Sequence, residues 1–173
     1  MLIVFGGLPG TGKTTLAQAL ARQQRAAYVR VDAIESGIVS AGLVPDQASI
    51  GSAGYVVANR VADSCLRAGL DVIVDAVNPV EAARHGWREL AAGLGARLLF
   101  VEVVCSDEAR HRRRVEARES DLPDWVLPDW QAVVDRRYEP WQGERLVIDT
   151  VGADPEVHLA AILGQANARP AAR

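Results

Sequence analysis

Eight residues near the amino terminus have the types and spacing of a phosphate-binding loop. Residues 7–14, Gly-Leu-Pro-Gly-Thr-Gly-Lys-Thr, fit the pattern G-x-x-x-x-G-K-[ST]. The glycines let successive backbone N–H groups point into one hollow, and the following helix adds unpaired N–H groups and the positive end of its dipole. The stretch therefore predicts a polyphosphate site. The residues predicted to bind the phosphates are Gly7, Pro9, Gly10, Thr11, Gly12, Lys13, Thr14 and Thr15.

Two of these residues and two acids further along could carry chemistry. Lys13 is predicted to reach the β- and γ-phosphates, and the Thr14 hydroxyl to bind Mg²⁺. Asp75 ends an apolar run and is predicted to reach the metal, directly or through water; the alternative is a helix cap. Asp32 ends a second apolar run and could accept the proton of an attacking hydroxyl or orient it, with a helix cap again as the alternative.

The most basic stretch, residues 107–118, is predicted to be a helix. Arg110, Arg114 and Arg118 have i, i+4, i+8 spacing and share one face. Such a row could neutralise charge on a triphosphate during transfer, and we predict this function for Arg114 and Arg118. Arg110, the other arginines and His111 fit a solvent-exposed helix face better.

Candidate substrate contacts lie after Asp75 and in an aromatic segment. Asn78 and Arg84 could touch a substrate. In residues 125–141, aromatic side chains accompany arginines, so Trp125 and Arg137 could bind a flat or sugar-like molecule. The alternative is a small cluster that packs this segment onto the rest of the fold.

The pattern of apolar residues predicts the strands and helices that position these residues. Apolar runs alternate with helical stretches, which predicts an α/β fold with a parallel sheet and helices on both faces. Ligands of such folds bind beyond the carboxyl ends of the strands, where the loop, Asp32 and Asp75 would meet. The predicted strands are residues 2–5, 26–31, 71–75, 98–104 and 146–149, and the predicted helices are 15–21, 33–39, 50–67, 79–93, 107–118, 129–138 and 154–166.

Bulk properties fit one soluble enzyme-sized domain. The 173 residues are 49% hydrophobic and 24% charged, which predicts one domain over residues 1–166 and a frayed tail over 167–173. A net charge of −3 gives no overall attraction to nucleic acid or membranes. Cys65 and Cys105 lack metal-ligand spacing and suggest reduced thiols in the cytoplasm. The amino terminus predicts a strand and not a signal peptide.

The chain resembles the small P-loop kinases, in the branch that includes AAA family ATPases, zeta-toxin-like proteins and polynucleotide kinases, and that also holds chloramphenicol phosphotransferase and gluconate kinase. The resemblance rests on the loop with Lys13 and Thr14, on Asp32, on the Val72–Asp75 run with Asn78, and on the arginine-rich helix. It implies a P-loop NTPase three-layer sandwich, a sheet in the order 2-3-1-4-5 and a lid helix. In such a lid Arg114 would contact the nucleotide and Arg118 the transferred phosphate, with adenine near Asp149 and Thr150.

The activity implied by this resemblance is ATP- and Mg²⁺-dependent transfer of the γ-phosphate to a hydroxyl of a small molecule. Lys13, Asp32 and Arg118 would be the catalytic residues. The Asp-Gly-x-Pro-Arg stretch of nucleoside monophosphate kinases is missing, since Ala76-Val77-Asn78 stands there. Two alternatives remain open: a 5′-hydroxyl polynucleotide kinase, and a nucleotide-binding regulatory ATPase that has no acceptor. The acceptor, the choice of ATP over GTP and the oligomeric state are left open by the sequence.

Overall fold

A five-stranded sheet with seven helices makes up the computed structural model, which describes residues 1–123 and 125–168. The strands are β1 (Leu2–Gly6), β2 (Ala27–Arg30), β3 (Val72–Asp75), β4 (Leu98–Val104) and β5 (Leu146–Asp149). The helices are α1 (Lys13–Gln24), α2 (Val31–Ser40), α3 (Ala53–Arg67), α4 (Glu81–Leu94), α5 (Glu108–Glu116), α6 (Trp130–Val134) and α7 (Pro155–Asn167). Asn167 ends α7, and residues 169–173 of the predicted tail lie outside the described residues.

All strand pairs are parallel, and the strand order is β2-β3-β1-β4-β5. This confirms the predicted P-loop NTPase architecture. Every residue of the central strands β1 and β3 is buried, as expected for strands covered on both faces. Because all five strands run the same way, their carboxyl ends meet at one edge of the sheet, where Gly6, Asp75 and Arg30 end their strands.

Side-chain alternation along β1 separates two hydrophobic cores. Leu2 and Val4 face the core under α3 and α4, whereas Ile3 and Phe5 face the core under α1 and α7. The first core is filled by the buried Trp87 of α4. Helices therefore cover both faces of the sheet, which fixes the loop after β1 between two packed layers.

Three predicted elements differ from the structure. β2 ends at Arg30, so Asp32 is not a strand end and lies instead in the first turn of α2. α3 begins at Ala53, after a single 3₁₀ turn at Gln47–Ser49 that the Asp46 side chain caps. α6 ends at Val134, earlier than predicted. Further along the chain, the ring of Trp141 packs edge-on against Phe100 with centroids 5.4 Å apart.

Membrane insertion finds no support in the helices. Within the described part of the chain, no helix has both the length and the apolar character needed to cross a bilayer.

Candidate active site

The phosphate-binding loop joins β1 to α1 and is fixed by contacts from three sides. Gly7 and Gly10 have φ values of 139° and 84°, a region that favours glycine. A Cβ at Gly7 would overlap the Val103 carbonyl of β4. The Gly7 N–H donates to the Val77 carbonyl at 3.0 Å, and the Thr150 hydroxyl donates to the Thr11 carbonyl at 2.8 Å. The loop is therefore rigid before any ligand binds.

The amino terminus of α1 is open to an anion. Gly12 is the N-cap residue and has no side chain, so no side-chain cap satisfies the first N–H groups. The first turn of α1 also holds no acid. Free N–H groups and the positive end of the helix dipole together favour phosphate binding at this point.

A cavity of about 630 Å³ opens above the loop and the start of α1. Arg114 and Arg118 line it, as expected from their shared face, although Arg118 lies two residues beyond the end of α5. Arg110, expected on a solvent-exposed face, is exposed and also lines this cavity. Arg114 donates to the Thr150 hydroxyl at 2.7 Å and to the Thr150 carbonyl at 3.1 Å. The loop after β5 supplies the far wall, where the resemblance places adenine. The cavity is lined by Gly10, Gly12, Lys13, Thr14, Thr15, Leu16, Arg110, Arg114, Ala117, Arg118, Thr150, Ala153, Pro155 and His158.

Lys13 is a buried cation at the inner end of this cavity. Its side chain is 4% exposed, and burial lowers its pKa, while the charges of Asp75 and Asp32 raise it and those of Arg118 and Arg30 lower it further. Removal of water strengthens every electrostatic interaction of the ammonium group. Lys13 is thus placed for a phosphate that lies between it and Arg118.

Asp75 is a buried carboxylate with one free oxygen. It is 2% exposed at the end of β3, and the Tyr28 hydroxyl donates to Oδ2 at 2.8 Å. Oδ1 has no hydrogen-bond partner within the described residues. Burial and the charge of Asp75 raise the pKa of Tyr28, so its hydroxyl stays protonated and donates. An unpartnered buried carboxylate oxygen is a ligand that Mg²⁺ prefers, and the site therefore fits the predicted metal.

A second cavity, of about 240 Å³, lies on the other side of Lys13. Lys13 and Arg118 line both cavities. Asp32 lines the second cavity from the first turn of α2, and Trp125 lines it from the segment after α5. The lining residues are Pro9, Lys13, Val31, Asp32, Glu35, Gln47, Gly51, Tyr55, Val77, Pro79, Arg118, Trp125, Leu127, Pro128 and Arg136.

Glu35 is a cavity residue that sequence reasoning missed. It lies one turn after Asp32 on α2 and lines the same cavity. Burial, and next the charge of Asp32, raise its pKa to about 7, while Arg136 opposes the shift. A Cβ on Gly54 of α3 would overlap its side chain. The i, i+3 spacing of two acids was visible in the sequence, but the space left by Gly54 was not.

Asp121, Pro123 and Val126 are bonded to the end of β2, to α2 and to the chain after α2. Arg30 is buried and donates to both carboxylate oxygens of Asp121, at 2.6 and 3.0 Å. The Ser36 hydroxyl donates to the Pro123 carbonyl at 3.2 Å, and the Gln47 side chain donates to the Val126 carbonyl at 3.4 Å. These contacts position Trp125 as a wall of the second cavity.

Two predicted substrate residues, Asn78 and Arg84, are instead structural. Both are fully buried. The Asn78 side chain donates to the Phe5 carbonyl at 2.8 Å and accepts from Trp87 at 2.9 Å. Arg84 donates to four backbone carbonyls and lies 4.3 Å from the ring centroid of Trp141. These bonds join α4 to the chain around Pro140, and neither side chain lines the nucleotide-side cavity or the second cavity as formed by the described residues.

The substrate contact predicted for Arg137 stays a prediction, whereas the solvent exposure predicted for His111 is wrong. Arg137 is 81% exposed and pairs with Glu139 at 2.6 Å, whereas its neighbour Arg136 lines the second cavity. His111 is not a solvent-exposed helix residue: it is buried, and its Nε2 lies 2.8 Å from the Pro9 carbonyl. It packs edge-on against Trp130 of α6, and so joins α5 to the phosphate-binding loop.

The fold and the loop together define a P-loop NTPase. More narrowly, the chain belongs to the AAA domain family, whose model matches residues 2–137. No curated protein is significantly similar to the chain in sequence.

Solved structures of several P-loop proteins have the same fold. The APS kinase CysC of Mycobacterium tuberculosis, in complex with AMPPNP and APS, superposes with a TM-score of 0.71 at 19% identity, covering 96% of this chain and 97% of that one. Chaetomium thermophilum Kti12, in complex with ADP-AlF3, gives 0.69 at 20% identity, with 98% and 100% covered. A gluconokinase from Sinorhizobium meliloti gives 0.65 at 20% identity, with 94% and 89% covered. At these identities the likeness is one of fold.

Proposed function

We propose that this protein is an ATP- and Mg²⁺-dependent kinase that transfers the γ-phosphate to a hydroxyl of a small molecule. One observation carries the proposal: the cavity above the phosphate-binding loop meets a second, smaller cavity at Lys13 and Arg118, and Asp32 lines that second cavity. A donor and an acceptor held on either side of two cations have the arrangement that phosphate transfer needs. A site that only bound or hydrolysed ATP would not need the second cavity.

The proposed step assigns a task to each residue at the junction. The acceptor hydroxyl oxygen forms a bond to the γ-phosphorus while the bond to the β,γ-bridging oxygen breaks, and the hydroxyl proton passes to Asp32. Lys13 and Arg118 neutralise charge on the transferred group, and Arg114 and the loop N–H groups hold the rest of the triphosphate. ADP leaves, and the second cavity releases the phosphorylated acceptor.

The metal would be held by the Thr14 hydroxyl and the free Oδ1 of Asp75. When bound, Mg²⁺ would neutralise part of the negative charge of the phosphates. The proposed setting is the cytoplasm, where ATP and Mg²⁺ are available and where free thiols such as Cys65 and Cys105 stay reduced.

The size of the second cavity favours a small acceptor over a polynucleotide. A cavity of about 240 Å³ lies just below the usual range for small-molecule sites, and Arg137, which a polynucleotide could have used, pairs with Glu139. The polynucleotide kinase and the regulatory ATPase are therefore outcomes that the experiment must separate.

The test is transfer from γ-labelled ATP with Mg²⁺ into two pools, hydroxylated small molecules and 5′-hydroxyl oligonucleotides, by wild type and by Asp32→Asn. We expect label in the small-molecule pool with wild type and its loss with Asp32→Asn. Label in the oligonucleotides alone would replace the proposal with a polynucleotide kinase. ATP hydrolysis at equal rates in both proteins, with no label in either pool, would favour a regulatory ATPase.

A further inference from the structure

The second cavity is lined by more acidic than basic side chains once its inner end is assigned to phosphate. Four charged side chains apart from Arg136 line it: Asp32, Glu35, Lys13 and Arg118. Lys13 and Arg118 also line the nucleotide cavity, so a bound triphosphate takes both cations. What then faces the acceptor is a pair of carboxylates and the exposed Arg136.

Neither carboxylate is used by the protein itself. Within residues 1–123 and 125–168, no hydrogen bond or ion pair engages the side chain of Asp32 or Glu35, and charge interactions alone connect the Glu35 carboxylate to Asp32 and Arg136. Lys13, 4% exposed, likewise has only charge interactions with its neighbours. A partly buried carboxylate without a protein partner is open to a ligand that donates hydrogen bonds.

The space for Glu35 is made by another residue. Gly54 is buried in the first turn of α3, and any Cβ there would overlap Cγ and Oε1 of Glu35. The side chain therefore lies between α2 and α3 at the cavity wall. Tyr55, the next residue on α3, and Trp125 opposite add aromatic surface to the same cavity. Aromatic faces beside carboxylates favour a cation over an anion or a neutral polyol.

On the basis of the proposed function, we propose that the acceptor is an amino alcohol, whose hydroxyl lies at Asp32 and whose protonated amine pairs with Glu35. The two carboxylates stand at i and i+3 on α2, a spacing of about 5–6 Å between Cβ atoms. A molecule that carries the amine a few bonds from the hydroxyl spans that distance. Glu35 is then the residue that selects the acceptor, and anionic acceptors are excluded.

The test compares acceptors that share a carbon skeleton and differ in charge. The probes are glucosamine, glucose and glucuronate; ethanolamine, ethylene glycol and glycolate; and the cationic, neutral and anionic fractions of a metabolite extract. Each is incubated with wild type and γ-labelled ATP. We expect label in the cationic members, with kcat/KM about tenfold to a hundredfold above that of the neutral counterpart, the size of one charge-assisted hydrogen bond.

The outcomes distinguish this inference from the function on which it rests. Label that favours the neutral or anionic members overturns the amino alcohol and leaves the kinase intact. No label in any member, with ATP still hydrolysed, overturns both.

Substitution of Glu35 then tests whether this residue selects the acceptor. Glu35→Gln should raise KM for the cationic acceptor about tenfold to a hundredfold, more than it lowers kcat, while KM for ATP is unaffected. Glu35→Asp should recover part of the loss, and Glu144→Gln, at an exposed acid outside both cavities, serves as the matched control. An equal loss for cationic and neutral acceptors in Glu35→Gln would show that Glu35 only shapes the cavity, and would overturn its assignment.

Discussion

Lys13 of the phosphate-binding loop and Arg118, which lies outside the loop, line the same two cavities. Lys13 begins α1, and Arg118 follows the end of α5. The buried His111 ties α5 to the loop through the Pro9 carbonyl, so the position of Arg118 depends on the loop that it faces. The junction between the donor and acceptor cavities thus depends on a contact between His111 and Pro9, which are 102 positions apart in sequence.

Replacing Arg118 should impair transfer more than nucleotide binding. In Arg118→Ala we expect kcat to fall about a thousandfold, because an arginine on the transferred phosphate acts mainly in the transition state. The dissociation constant of ATP, measured by calorimetry, should change less than tenfold. Arg113→Ala removes an exposed arginine of α5 that lines neither cavity, and should match wild type. An equal loss in kcat and in ATP affinity would mean that Arg118 only binds the nucleotide.

Asp75→Asn should raise the Mg²⁺ concentration needed for half-maximal activity at least about tenfold. The substitution keeps an acceptor for the Tyr28 hydroxyl and removes the charge that would face the metal. Titration of activity with Mg²⁺ at saturating ATP measures the shift. Tyr28→Phe removes the hydrogen bond but keeps the carboxylate, so a smaller shift is expected. If Tyr28→Phe matches Asp75→Asn, Asp75 acts through its position and not as a ligand.

Local patterns in the sequence were sufficient to predict the phosphate-binding loop and the sheet. The glycine-rich loop, the apolar run before Asp75 and the arginine row are each set by residues close in sequence, and each lies where it was expected. Parallel strands then bring their ends together without further information. Asp32 lines the second cavity, although it lies in the first turn of a helix and does not end a strand as predicted.

Contacts between distant segments could not be predicted from the sequence. Arg84 follows Asp75 by nine positions and looked available, but its carbonyl partners at Glu139 and Pro140 are supplied by a segment more than 50 residues away. Glu35 looked like an ordinary helix acid, because the glycine that makes room for it lies on another helix. Burial of polar side chains depends on such tertiary partners, which no local spacing reveals.

Arg84→Gln should destabilise the fold and leave substrate binding unchanged. Arg84 is fully buried and donates to carbonyls of Asn78, Pro79, Glu139 and Pro140. Loss of charge-assisted bonds that leaves buried carbonyls unsatisfied costs about 3 kcal/mol or more. Urea unfolding measures the loss, and Arg67→Gln, at an exposed i, i+4 pair with Asp63, should cost less than about 0.5 kcal/mol. A stable Arg84→Gln with a raised acceptor KM would restore the sequence-based prediction of a substrate contact.

Glu35 should make stability depend on pH in the window between its unfolded and folded pKa values. Its pKa rises from 4.5 to about 7 on folding, so between these values the native state binds a proton that the unfolded state does not. Stability therefore falls as pH rises through the window. Allowing for partial solvent exposure, we expect a loss of about 1–2 kcal/mol.

Glu35→Gln should remove this loss, because glutamine does not titrate. Urea unfolding of both proteins at several pH values between 4.5 and 8 gives the difference in stability, in which contributions from other groups largely cancel. That difference should move in favour of the variant as pH rises. A difference that does not change with pH would place the Glu35 carboxylate in water, and would weaken its role at the cavity wall.

Two glycine substitutions on neighbouring helices separate the position of Glu35 from its charge. In Gly54→Ala the new methyl group occupies the space of the Glu35 side chain, which must swing away from the wall between α2 and α3. Because a flexible side chain moves and the backbone does not, we expect a change in stability of less than about 1 kcal/mol, but an acceptor KM raised about tenfold, as in Glu35→Gln.

Gly37→Ala is the matched control: it lies on α2, nothing is within 4 Å of its added methyl group, and alanine should stabilise the helix by about 0.5–1 kcal/mol with the kinetics unchanged. In the double variant Gly54→Ala/Glu35→Gln the effects on KM should not add, since both remove the same carboxylate from the same place. Additive effects would mean that Gly54 shapes the cavity independently of Glu35.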